Sequence, residues 1–186
     1  MKIISKIAAK IFKYYGWKAE QLPKESCIYA CYPHTHFSDA LLCVLLGVAE
    51  EKNFHVVVKE TWNKPILRNI LRFFKILPID RNSKGLDLII SELKSSCGNI
   101  VIAIEGSRKL MPSIKPGFHN ISKIMNMPIV PSLMDRRNKK MFFLEPFYAE
   151  NSAEETIKKI GDMVNPFLPL SENPELESPF ILKKKI

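Results

Sequence analysis

The segment NIVIAIEG, residues 99–106, is the feature that most restricts the fold of this chain. A short apolar run that ends in glycine is typical of a strand in a sheet covered on both faces. Similar runs alternate along the chain with segments of helical periodicity. We predict strands at residues 27–32, 54–59, 77–80, 99–106, 128–134 and 140–147, and helices at 1–17, 38–48, 64–76, 85–98, 117–127 and 153–164. This alternation predicts an α/β domain with a largely parallel sheet flanked by helices.

The length of the chain, 186 residues, suits one domain with a core of its own. We divide it into an N-terminal helix over residues 1–17, a single domain over 18–170 and a polar, proline-bearing tail over 171–186 that we expect to be peripheral. The longest apolar stretch, residues 40–49, reaches about half of the ~20 residues that a membrane-spanning helix needs. No segment is therefore predicted to cross a membrane.

The cysteines show no paired spacing of the kind that binds a metal, and no secretory signal is visible. We interpret them as buried free thiols in a protein of a reducing compartment. They are Cys27, Cys31, Cys43 and Cys97.

Residues 1–17 have the pattern of an amphipathic helix. At about 100° per residue, its lysines fall in one arc roughly 80° wide, and its isoleucines and tyrosines occupy the opposite side. The two sets are Lys2, Lys6, Lys10 and Lys13, and Ile3, Ile4, Ile7, Ile11, Tyr14 and Tyr15. Two interpretations remain open: a helix packed on the core with a solvated basic face, or an interfacial helix whose lysines contact anionic headgroups. The net charge of +9 favours anionic partners without choosing among them.

A histidine and a carboxylate, His34 and Asp39, lie five positions apart after the first strand predicted within the domain. On one continuous helix, positions i and i+5 lie about 140° apart, so the two side chains could not meet. If the strand ends at Pro33 and the helix starts near Ser38, the His34 ring can fold back onto Asp39. A carboxylate on one ring nitrogen fixes the tautomer and leaves the other nitrogen free to take a proton. The spacing therefore predicts a general base.

A second polar cluster follows the strand at 99–106. It consists of Glu105, Gly106, Ser107 and Arg108, and Arg81 follows the strand at 77–80 in the same way. In parallel sheets ligands collect beyond the carboxyl ends of the strands, where an arginine can hold a phosphate or carboxylate through its planar fork. The alternative at each place is an ordinary turn with solvated charges.

These residues resemble the conserved blocks of the glycerolipid acyltransferases, the group typified by bacterial 1-acylglycerol-3-phosphate acyltransferase. The blocks occur in the family's order, as HxxxxD at 34–39, the end of the second block at 79–81, an EGTR-like block at 105–108 and a proline-ended strand at 128–131. Three positions depart from the family pattern. Pro33 replaces the usual Asn, as in a short Pro-His-Thr branch, Lys75 stands where glycine is common, and Ser107 replaces Thr.

The resemblance implies transfer of a fatty acyl group from acyl-CoA or acyl-carrier protein to a hydroxyl of a lysophospholipid or related glycerolipid, with 1-acylglycerol-3-phosphate foremost. It implies that His34 is the general base without a covalent intermediate, that Asp39 orients it, and that Arg81 and Arg108 bind the acceptor's phosphate. Glu105 would hold Arg108 in place. A thioester is already activated, so we expect no metal or other cofactor. The expected location is the cytoplasmic face of a membrane that contains anionic lipids.

Two other interpretations remain. His34 and His36 are similar to part of an HxHxDH zinc motif of metal-dependent hydrolases, but that motif needs Asp at position 38 and His at 39, where this chain has Ser38 and Asp39. A non-catalytic module that binds anionic lipids also fits the basic charge. No nucleic-acid-binding motif is visible, so we expect no nucleic-acid partner. Acyl transfer by the wild-type protein would exclude the binding module.

Overall fold

The computed structural model describes residues 2–80, 83–96 and 98–180, with the backbone alone at 83 and 84. Within these ranges the helices are α1 Lys2–Tyr14, α2 Asp39–Ala49, α3 Arg68–Phe73, α4 Ser83–Ser96, α5 Gly117–Met125 and α6 Ala153–Val164. The strands are β1 Lys18–Ala19, β2 Ile28–Tyr32, β3 Phe54–Lys59, β4 Ile76–Ile79, β5 Asn99–Ala103, β6 Ile129–Asp135 and β7 Lys140–Phe143. The predicted α/β class with an N-terminal helix is confirmed.

The strands form one sheet in the order β1-β7-β6-β2-β5-β3-β4. The five strands from β6 to β4 are mutually parallel, and β7 pairs antiparallel with β6. Because parallel strands end at the same edge, the segments that follow β2, β5 and β6 leave the sheet side by side. The segment after β2 lies between the other two.

Both faces of the sheet are covered. Side chains alternate along β2, so Tyr29 packs in a cluster with α1, α2 and α3, whereas Ile28 and Ala30 pack in a second cluster with α4, α5 and α6. All three of these residues are at most 1% exposed. Burial on both faces explains why this strand carries an apolar run rather than an alternating pattern.

The N-terminal helix packs on the domain through a narrow face that the sequence pattern did not single out. Ser5, Ala8 and Phe12 are buried, and Ser5 Oγ donates a hydrogen bond to Glu51 Oε1 at 2.9 Å. The isoleucines and tyrosines of the predicted apolar face stay at least 38% exposed. At about 100° per residue they lie between the buried face and the lysine face. The helix therefore contacts the core and also presents an uncovered apolar row. No helix in the described ranges is long and apolar enough to span a membrane.

Helix α3 is shorter than the predicted 64–76. Its first predicted turn is held by i→i+3 hydrogen bonds from Leu67 to Lys64 and from Arg68 to Pro65, so the regular helix starts late. At its end Lys75 has φ of 52°, the left-handed region that glycine adopts most easily. This explains physically why a glycine would be favoured here. Lys75 precedes β4 and its Nζ donates to Asn53, so it lies at the edge opposite His34 and not at a phosphate site.

The described part of the C-terminal tail is not peripheral, and that prediction is corrected here. Residues 168–180, which we call the C-terminal strap, pack on the domain, with Ser171 1% and Ser178 2% exposed. Tyr32 donates its hydroxyl proton to the Ser178 carbonyl at 3.0 Å, and the Phe180 ring lies 4.6 Å from the Tyr32 ring. Polar residues can be buried here because their hydrogen bonds are satisfied.

Among the cysteines that the structure describes, Cys27 and Cys43 are buried and Cys31 is half-buried, and all three are free. Burial raises the pKa of Cys27 to about 11, with a further contribution from Glu25, so this thiol is unreactive. Cys97 lies outside the described residues.

Candidate active site

Three polar residues converge at the carboxyl edge of the central strands. His34 follows β2, Glu105 follows β5 and Arg136 follows β6. Because β2 lies between β5 and β6, His34 has one of these charged residues on each side. The strand order, rather than proximity in sequence, assembles the site.

The predicted contact between His34 and Asp39 is present. The helix α2 begins at Asp39, and His34 in the preceding turn places Nδ1 2.9 Å from Asp39 Oδ2. Because an ionised carboxylate only accepts, Nδ1 carries the proton and Nε2 is left with its lone pair. The His34 side chain is 21% exposed, so a substrate can reach it.

The Asp39 carboxylate is held by several donors. Oδ2 accepts from the His36 backbone N–H at 3.0 Å in addition to the His34 ring, and Oδ1 accepts from Arg136 Nε at 3.0 Å and from Arg136 Nη2. Burial alone would raise the pKa of Asp39, but the hydrogen bonds from His34 and Arg136 and the arginine's charge outweigh it and lower the pKa. Asp39 is therefore a fixed, ionised carboxylate.

Replacing Asp39 by Asn should change how stability depends on acid. A lowered folded-state pKa contributes stability that is present above the unfolded value of about 3.9 and lost as pH falls through the folded value. We expect the free energy of unfolding of the Asp39→Asn variant to fall less steeply than that of the wild type below about pH 4. Urea unfolding between pH 2.5 and 7 measures it. The exposed Asp162 on α6 supplies a control, Asp162→Asn, and equal slopes for wild type and Asp39→Asn would contradict the expectation.

The second histidine of the turn has a different environment. The His36 ring is exposed, and its Nδ1 lies 2.9 Å from Ser38 Oγ. It does not compete with His34 for the carboxylate, because only its backbone N–H reaches Asp39. Within the described ranges no three His, Cys, Asp or Glu side chains come together as a metal-binding group. The zinc interpretation therefore has no ligand set in this part of the chain.

Glu105 does not hold Arg108, and that prediction is corrected. Glu105 is 0% exposed, and its carboxylate accepts from the backbone N–H of His34 and, at 3.3 Å, from that of Ser178. Burial raises the pKa of Glu105, although these hydrogen bonds partly oppose the shift. Arg108 is exposed, and no ion pair joins it to Glu105. The strand ends at Ala103, so the chain turns early and directs Glu105 inward.

The rest of the predicted cluster forms a loop over Lys115. Gly106 has φ of 65°, and a Cβ there would lie 3.0 Å from Lys115 Cδ, so only glycine fits without strain. Ser107 Oγ accepts from the Lys109 N–H at 3.3 Å. Arg108 is exposed after this turn. Arg81 lies outside the described residues, so its predicted place beside Arg108 stays a prediction.

Two residues of the site were missed in the sequence. Arg136 follows the strand predicted at 128–134 and could have been assigned to the correct edge by the same rule that selected Arg81 and Arg108. Ser178 carries no such signal, because nothing local indicates that a polar tail returns to the site.

A family model with the description Acyltransferase matches residues 17–135. The match covers more than half of the chain and includes His34, Asp39 and the loop at 105–108. Arg136 is the first residue beyond it, and the C-terminal strap lies wholly outside it. No curated protein matches the chain.

Proposed function

The chain belongs to the acyltransferase family, and from that premise we propose that it transfers a fatty acyl group from acyl-CoA or acyl-carrier protein to a hydroxyl of a lysophospholipid or related glycerolipid. The foremost acceptor is 1-acylglycerol-3-phosphate. The observation that carries the proposal is the His34 ring, bonded to Asp39 through Nδ1 and accessible at the edge where the central strands end.

The proposed reaction needs one base and no covalent enzyme intermediate. His34 Nε2 takes the proton from the acceptor hydroxyl while the oxygen attacks the thioester carbonyl. The tetrahedral intermediate then breaks its carbon–sulfur bond, and the imidazolium returns the proton to the leaving thiolate. Asp39 stabilises the imidazolium between these steps. General-base catalysis of this kind contributes about 10²–10⁴-fold, and positioning of the two substrates supplies much of the rest. The proposal includes no metal or other cofactor.

The acceptor's phosphate is the proposed ligand of Arg108 and Arg81. The exposure of Arg108 supports this role, because its guanidinium is not committed to Glu105 and can form bidentate hydrogen bonds with a phosphate.

An acyl-transfer assay on the purified full chain tests the function. Acyl-CoA and acyl-carrier protein are compared as donors against a panel of lysolipids, with and without a phosphate on the headgroup. We expect transfer to the phosphorylated acceptors and a higher acceptor KM for Arg108→Ala, with the donor KM unchanged. No product with any pair, from protein that is folded by circular dichroism, would contradict the function and favour a lipid-binding module.

A peripheral position on a membrane is part of the proposal. The uncovered row of α1 faces the same side as exposed apolar residues of α3, and the two helices flank a groove of ≈ 340 Å³ lined by Ile4 and Phe73. On α3 and in the turn before it, exposed apolar side chains are accompanied by basic ones. The set is Ile66, Ile70, Phe73, Lys64, Arg68 and Arg72. Apolar rows bordered by cations are typical of surfaces that enter the headgroup region of anionic membranes. The free thiols support the cytoplasmic face.

Sedimentation with phosphatidylglycerol vesicles tests this surface. We expect Ile7→Ser/Ile11→Ser to lower binding at every salt concentration, because it removes apolar contact. Lys6→Gln/Lys10→Gln should lower binding mainly at low salt, because surface charges are screened above about 0.1 M. Ile124→Ser is the control, because it alters an isoleucine on the other face of the sheet that is 54% exposed, compared with 51% for Ile7 and 38% for Ile11. Equal binding by all variants would contradict the assignment.

A further inference from the structure

Arg136 is a cation fully engaged at the site, and none of the sequence blocks includes it. Its Nε lies 3.0 Å from Asp39 Oδ1, and its Nη2 contacts the same oxygen and, at 2.8 Å, Ser38 Oγ. The guanidinium lies 5.7 Å from the centroid of the Trp17 ring, and the side chain is 13% exposed. These contacts hold the Arg136 guanidinium against the turn that contains Ser38 and Asp39, away from the solvent-exposed part of the site.

The backbone fixes Arg136 as well. Its N–H donates to the Leu170 carbonyl of the C-terminal strap at 3.1 Å, and it directly follows β6, which pairs with β2 in register from Ile28 to Tyr32. The distance from the end of β6 to the start of α2 is thus set by the sheet. Since the backbone of Arg136 is fixed and its guanidinium fork is planar, less entropy is lost for each hydrogen bond that it forms with Asp39.

An arginine in such a site could bind the acceptor's phosphate or support the base. The burial of Arg136 and the commitment of Nε and Nη2 to Asp39 and Ser38 favour the second role. We propose that Arg136 is a positioning residue, which orients the Asp39 carboxylate and balances its charge so that His34 remains an uncharged base. This inference rests on the proposed acyl transfer, because it concerns the same base.

Charge accounts for the effect. With Arg136 present, the group His34–Asp39–Arg136 is neutral before proton uptake and carries +1 afterwards. Without Arg136, the remaining pair carries −1 before proton uptake and is neutral afterwards. Removing the arginine therefore favours the imidazolium, which cannot accept a proton from the acceptor. Other titratable groups on the elements around His34 include Tyr32 on β2, Glu105 after β5, Asp135 on β6, Glu172, Glu175 and Glu177 in the strap, and His36 in the turn.

The pH dependence of kcat/KM distinguishes this role from a purely structural one. In Arg136→Met we expect the acidic limb of the profile to move to higher pH by about one unit, the size typical of losing one nearby charge. The KM of either substrate should change less than twofold. Arg136→Lys keeps the charge but not the fork, so its acidic limb should match that of the wild type while kcat falls about tenfold. Arg136→Gln is a second neutral variant for use if Arg136→Met does not fold.

Two results would overturn the inference. A tenfold rise in acceptor KM with an unmoved acidic limb would make Arg136 a phosphate ligand. If both neutral variants are folded by circular dichroism and the acidic limb of their kcat/KM profile does not move, Arg136 has no role in supporting the base. Titration of the histidine rings by NMR, with His34 assigned from a His34→Gln spectrum, needs no substrate. A higher titration midpoint for His34 in the neutral variants would therefore support the arrangement even if no acyl transfer were found.

Discussion

Replacing His34 by alanine should lower kcat for acyl transfer by about 10²–10⁴-fold, the contribution expected of a general base. In the proposed mechanism the acceptor hydroxyl then loses the group that takes its proton, while the surfaces that bind the substrates remain. The KM values should consequently change little. Steady-state kinetics with a saturating donor, together with a thermal melt to confirm folding, measure the effect.

The second histidine supplies a matched control. His36 lies two residues away in the same turn, yet its ring bonds to Ser38 and is exposed. His36→Ala should retain activity to within several-fold, because the backbone N–H that it donates to Asp39 is unaffected. Equal losses in the two variants would show that the turn, and not the His34 ring, is what the reaction requires.

Replacing Glu105 by alanine should destabilise the protein by about 3 kcal/mol and also lower kcat. The change leaves the buried N–H of Ser178 and the partly buried N–H of His34 without an acceptor, at a cost of about 1–3 kcal/mol each. This cost outweighs the relief from removing a buried charge. Because one of these N–H groups belongs to His34, the turn that presents the proposed base loses its support on the β5 side. Urea unfolding and steady-state kinetics on the same preparation measure both effects.

Arg108→Ala is the control for Glu105, because the two residues were predicted to act as a pair. The exposed Arg108 should leave the free energy of unfolding close to that of the wild type. The pH dependence gives a further check. Because the pKa of Glu105 is raised in the folded protein, this residue contributes stability at pH values below the ordinary pKa of a glutamate. That contribution is lost as pH rises through the pKa of Glu105 in the folded protein. The difference in the free energy of unfolding between the wild type and Glu105→Ala should therefore narrow as pH rises from the ordinary pKa of a glutamate through the raised pKa of Glu105. Equal destabilisation by Glu105→Ala and Arg108→Ala would instead support the prediction that Glu105 and Arg108 form an ion pair.

The parts of the site that could be predicted are those set by local geometry. The contact between His34 and Asp39 follows from a strand end and a helix start only five positions apart, so elementary helix geometry is enough. The edge of the sheet was equally predictable, because apolar runs reveal the strands and parallel strands share an edge.

The residues that were missed or misplaced depend on the order of the strands. Arg136 is 97 positions from Asp39, and only the adjacency of β6 and β2 brings them together. Glu105 was paired with its neighbour Arg108 because the sequence shows nearby charges but not which side chain points inward. Its partner Ser178 is 73 positions away, in a polar tail with no hydrophobic periodicity. Long-range pairing of backbone and side chain leaves no local signal.

The uncovered apolar row of α1 also has a practical consequence for anyone who handles the protein. Ile3 is 75% and Tyr14 is 86% exposed, and contiguous apolar surface of this kind associates with itself in water. Size-exclusion profiles recorded without detergent should therefore show concentration-dependent clusters, and rates measured in plain buffer would reflect the dispersed fraction. If the acceptor is the proposed lysolipid, the rate in mixed micelles should depend on the mole fraction of lysolipid at the interface. Diluting the acceptor with an inert amphiphile should slow the reaction even when its bulk concentration is constant.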